Sequence, residues 1–264
     1  RDLQKYIENL SKVTAEKERI GAELDVAKKI QSSMLPSTSP AFPDREEFEI
    51  HASMIPAKEV GGDFYDFIPV GDDQWGLVIA DVSGKGVPAA LFMALSRTLI
   101  RVSATWKSSP ASAITEANTL ICRDSKASMF VTLFYLVIDS KKRQITYVNA
   151  GHNPPLMLTG GDQSDITLLK AEGIALGIID DIDLASVTVD LKKGDMVALY
   201  TDGITEAMNK DGEEYGIERF TEVLMQNRDL DLSALINTIK TSIKEFTKDA
   251  PQSDDITLIL FRAV

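Results

Sequence analysis

Residues 75–91 read WGLVIADVSGKGVPAAL, and three patterns follow one another in this stretch. An apolar run with the length of a buried strand comes first, and an apolar run typical of a buried helix follows Pro88. Asp81 ends the strand pattern, and Gly84 and Gly86 let the backbone approach whatever the carboxylate holds. This position suits a metal ligand or a catalytic carboxylate. Asp and Gly are also ordinary residues of a strand-to-helix turn, which is the alternative.

Other aspartates occupy similar borders between a strand pattern and a loop. Asp63 precedes a strand pattern, Asp202 ends another, and Asp254 opens the last one. We therefore expect four carboxylates to converge at one edge of a sheet, those of Asp63, Asp81, Asp202 and Asp254. Carboxylate oxygens are hard ligands that suit Mg²⁺ or Mn²⁺, and no cluster of soft ligands competes with them in the sequence.

Five short strings together resemble the pattern of a known family. They are, in chain order, GGDFYDF at 61–67, DVSGKGVPAAL at 81–91, NAGHNPP at 149–155, LYTDGITEA at 199–207 and DDITL at 254–258. Each string alone is a weak signal, but five in the family's order are specific. The chain resembles the PPM family of metal-dependent protein phosphatases (the protein phosphatase 2C superfamily), in its bacterial SpoIIE/RsbU-type branch.

The strand and helix patterns by themselves indicate a layered α+β domain. The resemblance makes the expectation specific: a four-layer αββα sandwich of two antiparallel sheets flanked by helices, preceded by an N-terminal coiled-coil helix. Helices are predicted over about 88–106 and over about 110–123, and the second opens at Pro110. The predicted divisions are a helical coiled-coil segment over 1–35, a linker over 36–47 and a PPM-type phosphatase domain over 48–264.

The resemblance also implies a centre of two divalent cations, Mn²⁺ or Mg²⁺. Asp81 should bridge both ions, and the backbone carbonyl of Val82 should contact the second. Asp202 and Asp254 should hold the first ion, and Asp63 should serve the second directly or through water. These aspartates would act in catalysis through metal-activated water, because two cations acidify water and hold a phosphate oxygen for in-line displacement. The expected supporting residues are Asp255, Gly84 and Gly203.

Some positions of this chain differ from the family pattern, and for two others the sequence allows two interpretations. Eukaryotic relatives carry a histidine, usually assigned as general acid, where this chain has Ser83, and their phosphate-gripping arginine has no clear counterpart here. Metal-bound water is then the expected proton donor. Lys85 could offer charge to the phosphate or be a solvated loop residue. His152 could act as a general acid, but a loop histidine bonded to backbone is the preferred interpretation.

Composition limits the classes of function. The chain has 264 residues, of which 44% are hydrophobic and 26% charged, as in ordinary globular proteins. A net charge of -12 argues against a nucleic-acid partner, because phosphates need a basic face. Cys122 is the only cysteine, which excludes an intrachain disulfide and predicts a reducing, cytoplasmic location. No apolar run in the sequence approaches a membrane span, and no signal peptide pattern opens it.

Residues 1–35 carry a heptad pattern of apolar positions with almost wholly polar outer faces. This pattern predicts a parallel coiled-coil homodimer, weakened by Gly21 and by the polar seam residues Lys17 and Gln31. An amphipathic helix lying on its own domain is the alternative. The heptad seam predicted to dimerise consists of Leu3, Leu10, Val13, Ile20 and Leu24.

The predicted function is that of a metal-dependent serine/threonine protein phosphatase. In the SpoIIE/RsbU branch, the resemblance implies a phosphorylated STAS-domain anti-anti-sigma protein as substrate, within a partner switch that controls transcription. It also implies an upstream sensor domain or activator protein that acts through the N-terminal helix. Two alternatives stay open: another two-metal phosphoester hydrolase acting on small molecules, and a non-catalytic dimeric module that binds a phosphoprotein.

Overall fold

Strands fill the centre of the molecule and helices cover its outer faces. The computed structural model describes residues 2–36, 42, 44–107, 109–124, 129–160 and 165–264. Within them the strands are β1 (Phe48–Ile55), β2 (Phe64–Gly71), β3 (Gln74–Val82), β4 (Val131–Asp139), β5 (Gln144–Ala150), β6 (Leu156–Leu158), β7 (Ile166–Leu168), β8 (Val187–Asp190), β9 (Met196–Tyr200) and β10 (Ile256–Ala263). The helices are α1 (Asp2–Met34), α2 (Val87–Trp106), α3 (Pro110–Asp124), α4 (Asp202–Thr205), α5 (Gly216–Gln226) and α6 (Leu232–Thr247).

The strands form two five-stranded antiparallel sheets that pack face to face. The first sheet has the order β1-β10-β9-β6-β7, and the second has the order β2-β3-β4-β5-β8. Apolar side chains from the inner faces fill the space between them, with Leu77 and Phe134 from the second sheet meeting Leu199 and Phe261 from the first. The predicted sandwich of two antiparallel sheets is confirmed.

Helices bury the outer face of each sheet. Helices α2 and α3 cover the second sheet, where Phe92 and Ile114 pack in one cluster with Val78. Helices α5 and α6 cover the first sheet, where Phe220 packs in one cluster with Leu260. Each sheet is therefore apolar on both faces, which explains why its central strands are continuous apolar runs in the sequence.

The expectation that no apolar run approaches a membrane span needs one correction, because helix α2 is, among the described residues, the one helix long and apolar enough to cross a membrane by length and composition. Its Ala89, Met93 and Ile100 are buried against the second sheet, as in the core helix of a globular domain. Length and composition are therefore weak evidence for a membrane span here.

Antiparallel pairing brings the loops that carry the predicted site to common edges. Phe64 pairs with Ala80, so β2 begins beside the end of β3. Leu258 pairs with Tyr200, so β10 begins near the end of β9. The Thr257 hydroxyl of the first sheet donates a hydrogen bond to Asp63 at the edge of the second, so both pairs of strand ends lie at one side of the sandwich.

Helix α1 is exposed along most of its length. Leu3, Leu10, Val13 and Ile20 of the heptad seam are between 45% and 71% exposed, whereas Gln31 is buried. Within the described part of the chain, no other element covers these four seam residues. Dimerisation through them stays a prediction.

Only part of the predicted linker over 36–47 belongs to the described residues, because 37–41 and 43 lie outside them. Phe42 packs with its ring against Phe48, Phe67 and Trp75. This part of the segment therefore lies against the sandwich.

Candidate metal centre

The predicted site aspartates all lie where the ends of the two sheets meet. Asp63 immediately precedes β2, and Asp81 is the penultimate residue of β3. Asp202 begins α4 two residues after the end of β9, and Asp254 lies in the short loop before β10. Asp81 is affected by the charges of the other three or hydrogen-bonds with them, so the structure brings all four into one electrostatic cluster.

Asp63 forms the buried base of this cluster. Its Oδ2 accepts hydrogen bonds from Thr257 Oγ1 at 2.6 Å and from Thr201 Oγ1 at 2.7 Å. Burial raises the pKa of Asp63 well above its ordinary value, the charge of Asp81 raises it further, and the two hydroxyls act in the opposite direction. Because Oδ2 already accepts two hydrogen bonds, Oδ1 is the oxygen that would serve a cation or a bound water.

The pKa of Asp81 is raised by its burial and by the negative charges of neighbouring aspartates. Burial raises its pKa to about 7, the charges of Asp202 and Asp254 contribute in the same direction, and a hydrogen bond with Asp63 opposes the shift. The negative form of Asp81 is thus disfavoured until positive charge enters the cluster. This is the electrostatic condition that a divalent cation relieves.

Asp202 and Asp254 form the half of the cluster that belongs to the first sheet. Burial raises the pKa of Asp202, and the charge of Asp254 raises it further. Glu206, four residues after Asp202, is a further acid of the cluster, and its pKa is raised by burial and then by the charge of Asp202. Lys85 Nζ lies 2.7 Å from Asp254 Oδ2 and is the cationic partner of this half.

The acidic side chains are coupled by charge but are not closed around one point. Among the described residues, no group of three or more His, Cys, Asp or Glu side chains converges as tightly as a bound metal requires. Asp254 is paired with Lys85, so a cation that binds Asp254 would have to displace the ammonium group. The donors are all oxygens in a net negative cluster, and this chemistry fits Mg²⁺ or Mn²⁺.

Asp255 holds the loop that carries Asp63. Its carboxylate accepts backbone N–H bonds from Ala57 and Gly62, both at 2.7 Å, and from Asp63 at 3.2 Å. These donors compensate the burial of its charge. The oxygens of Asp255 therefore fix backbone and are not offered to a cation.

Backbone close to the carboxylates is shaped by glycines. A side chain at Gly203 would collide with the carbonyl of Asp255. Gly84 has a φ of 87°, in the left-handed region that favours glycine. A Cβ atom at Gly62 would lie 2.9 Å from the Val82 carbonyl oxygen. The Val82 carbonyl, a predicted ligand, therefore lies beside the backbone of the residue that precedes Asp63.

A sequence profile of the family described as Stage II sporulation protein E (SpoIIE) matches residues 71–264. The chain belongs to this SpoIIE family. It is 31% identical over 247 residues to the phosphoserine phosphatase RsbU of Bacillus subtilis, covering 93% of this chain and 71% of the relative. It is 28% identical over 242 residues to the phosphoserine phosphatase RsbP of the same organism, covering 90% of this chain and 57% of that relative.

A solved structure supports the same assignment. The SiaA-PP2C domain of Pseudomonas aeruginosa matches with a TM-score of 0.83 and 27% identity, over 95% of this chain and 99% of that domain. The predicted SpoIIE/RsbU-type branch, the fold and the class of enzyme, a serine/threonine phosphatase, are therefore confirmed.

The family string NAGHNPP forms a bridge between the two sheets. His152 Nε2 lies 3.2 Å from the Tyr200 carbonyl oxygen, and Nδ1 lies 2.9 Å from Thr132 Oγ1. A carbonyl only accepts, so Nε2 carries the proton and Nδ1 accepts from the threonine. Burial lowers the pKa of His152 to about 4, so the ring is neutral at pH 7. Thr132 pairs with Asp81 in the second sheet, and Tyr200 stands two residues before Asp202 in the first. His152 therefore connects the two sheets beside the predicted ligands, and its bond to the Tyr200 carbonyl is that of a backbone-bonded histidine.

Several residues of the centre were not recognised from the sequence. Thr201 and Thr257 are fully buried donors to Asp63. Their signal was present, because each stands within two residues of an aspartate in a family string. Gln31 gave no such signal, since its position in the heptad pattern does not show that it bonds to Gly61.

Proposed function

We propose that this chain hydrolyses phosphoserine or phosphothreonine in a protein, using two divalent cations, Mn²⁺ or Mg²⁺, held between the two sheets. The observation that carries the proposal is the convergence of four aspartates, two from each sheet, in a cluster whose negative charge lacks full compensation. A purely structural cluster of buried acids would be expected to pair with arginine or lysine one for one.

Each residue has a distinct task in this proposal. Asp81 would contribute to the binding of both cations, Asp202 and Asp254 would hold the first, and Asp63 with the Val82 carbonyl would serve the second. When bound, the cations acidify water and polarise the phosphate. The other contribution of the protein is to hold the ligand oxygens in place before the reaction, so that no free energy is needed to reorganise them during it.

The positioning groups come from both sheets. Asp255 fixes the backbone on either side of Gly62, and the hydroxyls of Thr201 and Thr257 orient the Asp63 carboxylate. His152 fixes the separation of Thr132 and Tyr200, and with it the separation of β4 and β9.

The substrate proposed is a phosphorylated STAS-domain anti-anti-sigma protein, in a cytoplasmic partner switch that controls transcription such as a general stress response. Membership of the SpoIIE family and the likeness to RsbU and RsbP support this choice. We also propose control by an upstream sensor domain or activator protein, acting through a homodimer of α1. The exposed heptad seam and the contact of Gln31 with Gly61 support that route.

The test is hydrolysis by the purified chain with Mn²⁺, on p-nitrophenyl phosphate and on a phosphorylated STAS protein. The proposal expects release of phosphate from both, loss in EDTA, and much faster release from the protein. Asp229→Ala, on an exposed side chain remote in sequence from the strings, is the matched control for substitutions of the cluster.

The outcomes separate the alternatives. Turnover of the small ester without turnover of any phosphoprotein would indicate a small-molecule hydrolase. Binding of the phosphoprotein without hydrolysis at any Mn²⁺ concentration would indicate a non-catalytic module.

A further inference from the structure

Lys85 connects the loop after Asp81 to the loop before β10. Its Nζ lies 2.7 Å from Asp254 Oδ2 and donates a hydrogen bond to the Ser253 carbonyl at 2.6 Å. The glycines on either side of Lys85 have φ values of 87° and 78°. This left-handed backbone turns the loop so that the lysine reaches from one sheet to the other.

Lys85 is the source of positive charge at this edge. Burial raises the pKa of Asp202 and of Glu206, and the Lys85 charge acts against both shifts. Among ion pairs of the described residues, Lys85–Asp254 is the one that involves a predicted cation ligand. Arg97 and Arg101 of α2 are paired with Asp66 instead.

The ammonium group and a divalent cation compete for the same carboxylate. A cation on Asp254 would repel the nearby ammonium. The Lys85 side chain is 41% exposed and flexible, so it can leave Asp254 without disturbing the core. Substrate phosphate at the cations would bring negative oxygens to the same edge, and a lysine offers them a point charge with three donors.

We propose that Lys85 exchanges partners during the catalytic cycle. It neutralises Asp254 before the cations bind, and it holds a phosphate oxygen of the substrate once they are bound. Lys85 is then a catalytic residue that supplies the phosphate-binding charge for which the chain has no recognisable arginine. This role rests on the proposed two-cation phosphatase function.

Two other roles for Lys85 would give different measurements. A solvated loop lysine would affect neither phosphate binding nor Mn²⁺ binding when replaced. A structural tie between the two loops would weaken both, because Asp254 would lose its fixed position. Exchange of partners predicts opposite changes: phosphate binding weakens, whereas Mn²⁺ binding tightens because the ammonium no longer competes for Asp254.

The experiment compares Lys85→Ala and Lys85→Met with the unmodified chain. Lys85→Met keeps an unbranched apolar stem, and thermal unfolding shows whether either variant is folded. Lys142→Ala is the matched control, because Lys142 is an exposed lysine that also pairs with an aspartate, Asp139, at the other end of β4. Calorimetry measures Mn²⁺ binding to the metal-free protein and inorganic phosphate binding to the Mn²⁺-loaded protein. Kinetics give KM and kcat for p-nitrophenyl phosphate.

Both Lys85 variants should raise the dissociation constant of phosphate and the KM by about tenfold, the effect of losing one charged contact at a partly exposed site. Their Mn²⁺ dissociation constant should fall, and the Lys142 control should change neither. Unchanged phosphate binding, or weaker Mn²⁺ binding, would overturn the role of Lys85. If the unmodified chain hydrolyses no phosphoester, the proposed function fails, but both binding measurements still decide on Lys85 because they require no turnover.

Discussion

Gln31 and Gly61 exchange two hydrogen bonds, which join the N-terminal helix to the metal centre. Gln31 Nε2 donates to the Gly61 carbonyl at 2.7 Å, and the Gly61 N–H donates to Gln31 Oε1 at 3.1 Å. Gly61 stands two residues before Asp63, and Asp255 holds the next two N–H groups of the same loop. The end of α1 and the carboxylate of Asp255 therefore fix this loop together. A movement of α1 that breaks the pair would release the backbone that carries Asp63.

Gln31→Ala should weaken cation binding. Removing the amide leaves two buried backbone groups of Gly61 unsatisfied, at a cost of about 1–3 kcal/mol for each group that finds no water. We expect a higher Mn²⁺ concentration for half-maximal hydrolysis and recovery of activity at high Mn²⁺. A Mn²⁺ titration of p-nitrophenyl phosphate hydrolysis measures this. Gln226→Ala, which removes an exposed helical glutamine bonded to Glu222, is the control. Identical titration curves for Gln31→Ala and the unmodified chain would count against the link.

Asp81→Ala and Asp202→Ala should each abolish hydrolysis while leaving the fold intact. Each change removes a predicted ligand and also removes one charge from a mutually repelling cluster. Activity at saturating Mn²⁺ and the circular dichroism spectrum are the measurements, with Asp229→Ala as control. Turnover at the unmodified rate in either variant would refute the assignment of that ligand.

Asp81 should also make the metal-free protein less stable as pH rises. Its pKa is about 7 in the folded chain against an ordinary value of 3.8, so between these values the folded state binds more protons than the unfolded state. The free energy of unfolding should fall through this window by up to about 4 kcal/mol. Urea unfolding in EDTA between pH 5 and pH 8 measures the fall. Asp81→Asn should reduce it, and an equal fall in that variant would contradict the prediction.

His152 should make the protein less stable as pH falls, which is the opposite of the effect of Asp81. Its pKa is about 4 in the folded chain against an ordinary value of 6.5, so between these values the unfolded state binds more protons. Its contribution to stability should be lost as pH drops through this window, by up to about 3 kcal/mol. His152→Gln can keep a donor toward Tyr200 and an acceptor toward Thr132 but cannot titrate. When this variant is unfolded with urea, its free energy of unfolding should not show the part of the fall toward low pH that His152 causes. The control His51→Gln should still show that fall.

Much of the fold followed from the sequence because its signals are local. Asp81, Asp202 and Asp254 each stand at the border of an apolar run, and a border of this kind is visible within ten residues. Antiparallel pairing then brings such borders together. The family resemblance supplied the arrangement of two antiparallel sheets packed face to face, which periodicity alone does not contain.

The contacts that organise the centre could not be predicted because their partners are distant in the chain. Lys85 reaches Asp254, and Gln31 reaches Gly61, through side chains whose direction depends on the packed sheets. The heptad pattern even predicted a different environment for Gln31, because it occupies a seam position and yet is buried against its own domain. Tertiary packing decided the environment of Gln31, and helical periodicity does not contain that information.

The place of Gln31 limits the predicted coiled coil to the part of α1 that precedes it. The heptad seam from Leu3 to Ile20 is between 45% and 71% exposed, and an apolar stripe of this length needs a partner in water. A second copy of the same helix is the simplest partner, because it presents the same stripe. Pairing over Leu3 to Leu24 and docking of Gln31 on Gly61 are then neighbouring events on one helix, so a change in pairing can reach the loop before Asp63.

Ile20→Asp combined with Leu24→Asp should therefore make the chain monomeric. Two charges per helix would enter the seam, at a cost of roughly several kcal/mol per dimer. Ala15→Asp combined with Ala22→Asp adds the same charge on the outer face of α1 and is the matched control, which should stay dimeric. Light scattering at tens of micromolar measures the mass, and a Mn²⁺ titration of hydrolysis measures the activity. The seam variant should keep basal hydrolysis at high Mn²⁺ but require more Mn²⁺ than the control. A monomeric mass for the unmodified chain, or equal activity profiles for both double variants, would show that pairing of α1 does not control the centre.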